Sequence, residues 1–426
     1  MTSVLDVLFA SVPFPGHTTP LLPIARALTE RGHRVRWCAG RRFAGQVEAA
    51  GAEFVALDEA IDLSRGTVDE LFPERARVTG LAKLRFDMVS VFIDPVPAQV
   101  AALRRAHGER AADVVVHDVG FGGGGAFGAL AGVPNVSVGV TPLMLAGPHT
   151  APFGPGLQPG TGPLARLRNR ALQALFDRVV LREVHARAVA VQRELGLPPV
   201  RGLSGVSRHL HLQNGLASLE HPRPDLPARV RFVGALLPPA SSGDLPGWWG
   251  DVETADRPVV HVTQGTVADG DLEDLVLPAL RALADEDVLV VASTGAHRPA
   301  HVPANARLAS FLPYDRLLPR LSVMVTNGGF GGVQNALAHG VPLVVGGATE
   351  DKPEVAARVA RAGVGIDLRT GRPKPEAIRD AVRRVLDVPS FRDRAAAMAA
   401  EYAAHDAPGT SADLIEGVVR RATSER

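Results

Sequence analysis

The sequence predicts an α/β protein built as two doubly wound parallel-sheet domains joined by a linker. Three observations lead there. At 426 residues the chain is too long for one ordinary core. Short apolar runs of strand length alternate with amphipathic stretches of helix length, the pattern of a parallel sheet with helices on both faces. That alternation breaks over a Pro-, Gly- and Ser-rich stretch at 222–257 and then starts again.

Taken in order, 5–11 reads as a buried strand, 21–30 as a helix, and Gly32 as its stop before a strand at 34–38. A helix at 41–50 closes at Gly51, and 53–56 is a third strand. The span 72–106 is mostly helical, broken by Pro95 and Pro97. Strands at 114–117 and 135–140 flank a short helix at 125–131. From 142 to 163 Pro and Gly dominate, which predicts a surface loop, and an Arg-rich helical stretch follows at 165–195. Beyond the break, strands are expected at 259–263, 288–292, 306–311, 323–326, 343–345 and 365–368, with helices between them and a last helix at 410–422. The expected division is an N-terminal domain over 1–221, a linker over 222–257, a C-terminal domain over 258–405, and a final helix over 406–426 that crosses back to the first domain.

Bulk composition narrows the class of function. The chain is 46% hydrophobic and 21% charged with net charge +1, which describes a folded protein with no nucleic-acid-binding charge surplus. Cys38 is the only cysteine, so no disulfide forms within one chain and the pattern suits a reducing cytoplasm. No membrane span is expected, because the first apolar run is strand-length.

The most informative stretch is Val325-Thr-Asn-Gly-Gly-Phe-Gly-Gly-Val-Gln-Asn335. An apolar strand runs into a loop with Gly328, Gly329, Gly331 and Gly332 around Phe330, and the loop opens a helix. Backbone without side chains at a helix N-terminus presents several free N–H groups and partial positive charge to one anion, so this is a candidate phosphate or diphosphate cradle. Thr266, in Gln264-Gly-Thr266 at another strand end, can offer a hydroxyl to the same phosphate or simply cap a helix. Phe311-Leu312, after a further strand, offers an aromatic plate for a planar base, or else core. Glu350 and Asp351, past the 343–345 strand, suit hydrogen bonds to neighbouring hydroxyls, or else cap a helix.

In the N-terminal half, Pro15-Gly-His17-Thr-Thr-Pro20 follows the first strand and Asp118 follows the 114–117 strand. Ligands in open parallel sheets lie beyond the carboxyl ends of the strands, and a reversal of strand order brings two such loops together. A His beside a carboxylate is a general base held in one tautomer. The alternative is a capping His and an Asp that bonds loop amides. His117 points to the other face of its strand and reads as packing. Gly122–Gly125 lacks the context of a dinucleotide loop and reads as a flexible helix entry. Asp269–Asp271 and Asp285–Asp287 match an Asp-x-Asp metal pattern without further ligands and read as solvated turns; no metal or resident cofactor is expected.

Taken together, these segments resemble the actinobacterial natural-product glycosyltransferases, the antibiotic and macrolide branch of the UDP-glycosyltransferase family. The resemblance rests on Pro15–Pro20, His117-Asp118, Gln264–Thr266, Phe311-Leu-Pro-Tyr314, Thr326–Gln334 and Thr349-Glu-Asp-Lys-Pro-Glu354, in that order and spacing. It implies the GT-B fold, two domains facing across a cleft, with acceptor on the N-terminal domain and nucleotide-sugar donor on the C-terminal one. The implied reaction is inverting and metal-independent: transfer from a dTDP- or UDP-sugar to a hydroxyl of an apolar aglycone. The resemblance makes His17 the base and Asp118 its partner, and assigns Thr266, Asn327, Gly331 and Gly332 to the diphosphate. It assigns Phe311 and Leu312 to the nucleobase, and Glu350 and Asp351 to the sugar. Acceptor contacts are expected from Phe72, Met88, Phe92, Phe121, Met144 and Phe153. Two positions depart from the family pattern: Asn327 stands where most relatives have His, and Lys352 follows Asp351 where many have Gln. A nucleotide-sugar 2-epimerase on the same fold, or a nucleotide-binding auxiliary protein for a partner transferase, remains an alternative. A monomer or homodimer fits either case.

Overall fold

The structure is a computed structural model that describes residues 4–160, 162–199, 205–239, 244–265 and 271–424. It contains two parallel sheets. The first has seven strands: β1 (Asp6–Ala10), β2 (Arg34–Ala39), β3 (Glu53–Ala56), β4 (Val114–Asp118), β5 (Asn135–Gly139), β6 (Leu210–Asn214) and β7 (Val230–Gly234), in the order β3-β2-β1-β4-β5-β6-β7. The second has six: β8 (Val259–Thr263), β9 (Leu289–Ser293), β10 (Ala306–Ala309), β11 (Val323–Thr326), β12 (Leu343–Val345) and β13 (Gly365–Asp367), in the order β10-β9-β8-β11-β12-β13. The Val-rich runs follow from this geometry, because helices cover both faces of each sheet and leave the central strands no solvent side.

Each sheet reverses strand order once, and each reversal positions a site. In the first it lies between β1 and β4, where Ala10 pairs with His117, so the loop after β1 and the end of β4 meet. In the second it lies between β8 and β11, where Thr263 pairs with Thr326, so Gln264 and Asn327 sit side by side.

Two strands of the first sheet lie outside the elements expected from sequence. β6 is Leu-His-Leu-Gln-Asn, too polar to read as a buried strand, yet all five residues are buried. Its polar side chains are satisfied by specific partners: His211 Nδ1 lies 2.8 Å from Ser137 Oγ, and Gln213 Nε2 donates to the Thr141 carbonyl at 2.9 Å. β7 falls inside the 222–257 stretch expected to be linker, where 231–233 is the one run with a regular pattern; its Arg231 is exposed and its Val233 buried. Downstream, Trp249 packs into the second domain with Val252, Leu312 and Leu317.

The stretch Gly80–Glu109 is long and apolar enough by composition to cross a membrane, but it is segmented. Gly80–Asp87 passes into a wide π-helical turn at Met88–Ile93, and Pro95 then starts the helix Val96–Glu109. Ile93 packs with Val184, Ala188 and Val191 of the helix Arg182–Glu194. The last helix, Ala407–Ser424, follows Pro389–Ala403 of the second domain and lies on the first. Ala412, Ile415 and Val418 join the core of β1, Leu21 and Leu28, while Arg31 binds Asp413 at 2.6 Å and Glu416 at 2.9 Å.

Gly123 and Gly124 have a packing reason rather than the flexible entry read from sequence, and Gly128 has one too. A Cβ at Gly123 would lie 2.4 Å from Gln99, at Gly124 2.3 Å from the His117 ring, and at Gly128 2.8 Å from the Val133 carbonyl. They let the helix Gly122–Ala131 approach its neighbours at backbone distance.

Candidate active site

A single wide cleft runs from the turn after β1 to the loop before the helix Lys352–Ala362. On its first-domain side, Pro15–Thr18 forms one helical turn that carries His17. Beneath it, the Trp37 indole donates to Ser11 Oγ at 3.1 Å, and Ser11 Oγ lies 3.1 Å from Thr18 Oγ1, which anchors the turn to β2. His17 Nδ1 lies 2.7 Å from Asp118 Oδ1. Asp118 is fully buried and accepts two backbone N–H groups, Val12 at 2.6 Å through Oδ2 and Gly120 at 2.7 Å through Oδ1. Its carboxyl is therefore fixed in orientation before it meets the imidazole.

The His17 side chain is 16% exposed, toward the cleft. Burial pushes its pKa down, but the charge and hydrogen bond of Asp118, with smaller contributions from the charges of Asp351 and Glu350, raise it above the ordinary histidine value. The last two carboxyl groups belong to the second domain, so the two halves of the cleft meet electrostatically at this ring. Phe14 and Phe92 flank it at ring-centroid distances of 6.1 and 6.0 Å. Gly120 is required here: a Cβ would come within 3.0 Å of both His17 Cε1 and Asp118 Oδ1. His117 lies on the opposite face, its pKa lowered by burial, and packs against Gly124.

On the other side, β11 ends at Thr326 and the helix Phe330–Ala338 begins after Asn327, Gly328 and Gly329. The Asn327 amide donates to the Gln264 carbonyl and its Oδ1 accepts from Gly329 N at 3.2 Å, so the side chain shapes the loop. Gly328 has φ +86°, and a Cβ there would strike Val345 at 2.6 Å. At Gly331, by contrast, a Cβ would meet nothing within 4 Å, and at Gly332 only Met324 at 3.8 Å. Folding therefore places no steric demand for glycine at 331; the space beside it is the cleft. The first-turn N–H groups of this helix have no intrahelical acceptors, and Phe330, Gly331 and Gly332 line that space.

The remaining expected residues divide. Phe311 is 65% exposed and lines the cleft, whereas the Leu312 side chain is buried among Val291, Leu317 and Trp249, so only its backbone is available to a ligand. Glu350 has φ +58° and pairs with Lys352, and both line the cleft. Asp351 precedes the helix Lys352–Ala362 without capping it, and burial pushes its pKa up to about 6. Met88, Phe92, Met144 and Phe153 line the cleft. Phe121 does not: it is completely buried in the core with Leu8, Val115 and Phe127, because it closes the turn into the following helix. Phe72 stacks edge-on against Phe86 at 6.0 Å and is absent from the cleft wall. Thr266 and Asp269 lie outside the described residues. Asp271 accepts from Glu273 N at 3.0 Å as a turn cap.

Sequence reasoning missed the tie between the domains. Glu354 Oε1 accepts from Gly154 N and Gly156 N, each at 2.9 Å, and Gln158 Nε2 donates to the Ala357 carbonyl at 2.8 Å. Glu354 also pairs with Arg358 at 2.9 Å, which pairs with Glu220 at 2.6 Å, all three buried. The loop over 142–160 is thus strapped across the cleft by its far end. The one available signal was a Glu and an Arg at i, i+4 on an expected helix.

A family profile described as the C-terminal domain of erythromycin biosynthesis protein CIII-like proteins matches residues 274–417. The chain is 45% identical to 4'-demethylrebeccamycin synthase of Lentzea aerocolonigenes over 97% of its own length and 99% of that protein's. It is 34% identical to UDP-glycosyltransferase 2 of Phaeomoniella chlamydospora, covering 97% and 96% of the two chains. Among solved structures, CalG4, the calicheamicin glycosyltransferase, superimposes with a TM-score of 0.76 at 25% identity, covering 98% of this chain and 99% of that one. Two parallel-sheet domains across a cleft, with this similarity end to end, are the GT-B arrangement, and the chain belongs to the natural-product glycosyltransferases of the UDP-glycosyltransferase family.

Proposed function

We propose that this glycosyltransferase moves a hexosyl group, with inversion, from a UDP- or dTDP-sugar to a hydroxyl of an apolar natural-product aglycone. In this reading His17 is the general base and Asp118 holds its tautomer. The observation that carries it is the 2.7 Å contact between His17 Nδ1 and a buried, doubly amide-bound Asp118, beside an apolar wall and opposite the glycine loop. With Nδ1–H committed to Asp118, Nε2 is the free acceptor on the cleft side. It takes the acceptor hydroxyl proton as that oxygen attacks the anomeric carbon. The C–O bond to the diphosphate breaks, and the leaving group carries away the electron pair.

The donor belongs to the second domain in this account. The helix N-terminus at Phe330–Gly332 meets the developing diphosphate charge. Phe311 supplies a face for the base, and Glu350 and Asp351 accept from sugar hydroxyls. Lys352, paired with Glu350, lines the same cleft. The relatives' names support the transferase reading: one is named for producing 4'-demethylrebeccamycin and another as a UDP-glycosyltransferase. Met88, Phe92, Met144 and Phe153 supply the acceptor wall. The domain roles, the linker and a cytoplasmic site of action belong to the same proposal.

The test is incubation of the protein with UDP-glucose or dTDP-glucose, with and without a panel of aromatic polyketide and other planar aglycones. Acceptor-dependent release of nucleoside diphosphate with a β-linked product from an α-linked donor is the expected result. Sugar isomerisation without acceptor would assign an epimerase instead, and binding without turnover until a partner protein is added would assign an auxiliary subunit.

A further inference from the structure

The helical stretch that forms one flank of the acceptor side carries an apolar stripe that nothing among the described residues covers. Within Gly162–Leu175 and its continuation Phe176–Val180, Leu164, Leu167, Leu175 and Val179 are 83%, 66%, 58% and 59% exposed. With Ala171 they recur every three to four residues, which places them on one face. The opposite face is the packed one: Asn169 is buried and donates to the Pro159 carbonyl, and Gln173 donates to Gly147 and Thr150. Scattered exposed apolar residues need no explanation, but three leucines and a valine aligned along one helical stretch do.

The charge beside the stripe is one-sided. Arg166, Arg170 and Arg178 form a parallel row at helical spacing, with Arg182 beyond, while Asp177 is the one acidic residue from 162 to 182. Asp177 faces His185 at 3.5 Å rather than an arginine. Arg168 is committed to the Gln158 and Pro159 carbonyls. Arg170, Arg178 and Arg182 also line the cleft, so the basic row separates the apolar stripe from the cleft mouth.

We propose that this face is an interfacial membrane-docking helix that seats on an anionic lipid surface. A leucine stripe with an arginine border is the composition that lies in the headgroup region, its apolar side chains among the acyl chains and its guanidinium groups on phosphates. A second copy of the chain fits less well, since an antiparallel two-fold contact along this stripe would bring the two arginine rows to one side. Docking would set the cleft mouth at the lipid boundary, where an apolar aglycone concentrates. That consequence rests on the proposed acceptor, whereas lipid binding itself does not.

The experiment is co-sedimentation of the full chain with vesicles of phosphatidylcholine alone and with about one third phosphatidylglycerol. Binding is expected on the anionic vesicles, weakening as salt is raised. A Leu167→Ser, Leu175→Ser double variant should lose about tenfold or more in vesicle affinity, and Arg166→Glu should lose affinity for anionic vesicles. Each should keep its circular dichroism spectrum and its turnover of a soluble acceptor. No sedimentation at low salt, or equal sedimentation with neutral vesicles, would overturn the proposal. So would a concentration-dependent dimer by light scattering that the leucine changes abolish, because the occupant would then be a second copy.

Discussion

At the scale of single residues, the His17 ring is balanced between burial, which favours its neutral form, and three carboxyl groups, which favour its charge. The carboxyl groups prevail, so the acid limb of kcat/KM against pH should lie above the ordinary histidine value. His17 takes a proton only when neutral, so activity rises with pH through that limb. Asp118→Asn should move the limb to lower pH and also reduce kcat, because an amide can hold the wrong tautomer. His17→Ala should lower kcat about 10²- to 10⁴-fold on an alcohol acceptor, measured with saturating donor. Near-full turnover of that variant would remove His17 from the chemistry. Gly331 offers a different kind of test. Alanine there meets nothing in the protein and is worth roughly 1 kcal/mol more than glycine in a helix interior, so Gly331→Ala should unfold at the same temperature or higher. Its affinity for UDP or dTDP should nevertheless fall, because the methyl group enters the space proposed for the diphosphate.

At the scale of elements, the strapped loop is the feature with most consequence. A Pro- and Gly-rich stretch at 142–163 predicts an open surface loop, and locally it is one. What sequence cannot show is that Gly154 and Gly156 reach a Glu two hundred residues away. Glu354→Ala would strand two loop N–H groups and remove one of the two carboxylates that hold Arg358. We expect a loss of about 2–4 kcal/mol in stability, read by chemical denaturation, and a raised KM for acceptor with the KM for donor nearly unchanged. Equal acceptor KM in a folded variant would mean that the strap does not shape the acceptor wall. The same limit explains the other misreadings. Strand–helix alternation and loop glycines are local patterns, so β1, β4, β8, β11 and the turns bearing His17, Asn327 and Asp351 were legible. β6 was not, because its buried His211 and Gln213 are acceptable only with Ser137 and Thr141 beside them. Phe121 and Phe72 were read as acceptor contacts from residue type alone, and type does not say which side of a turn faces the cleft. The glycines at 123, 124 and 128 serve contacts with Gln99, His117 and Val133 that only the packed structure shows.

At the scale of the whole molecule, two sheets each reverse strand order once and turn those edges toward one cleft. The helix Ala407–Ser424, the Glu220–Arg358–Glu354 cluster and the strapped loop join the halves, and the proposed base and the proposed donor cradle lie on different domains. Helix N–H groups are proposed to meet the diphosphate, so turnover should persist in EDTA. Complete loss on chelation, restored by Mg²⁺ or Mn²⁺, would require a metal at the leaving group. The separation of base from cradle is the central claim, and calorimetric titration of UDP or dTDP into His17→Ala and Gly331→Val, paired with turnover of each, tests it most directly. The account predicts that His17→Ala binds the nucleotide as the parent does yet hardly turns over, whereas folded Gly331→Val binds it far more weakly. Unchanged nucleotide affinity in Gly331→Val, or lost affinity in His17→Ala, would contradict it.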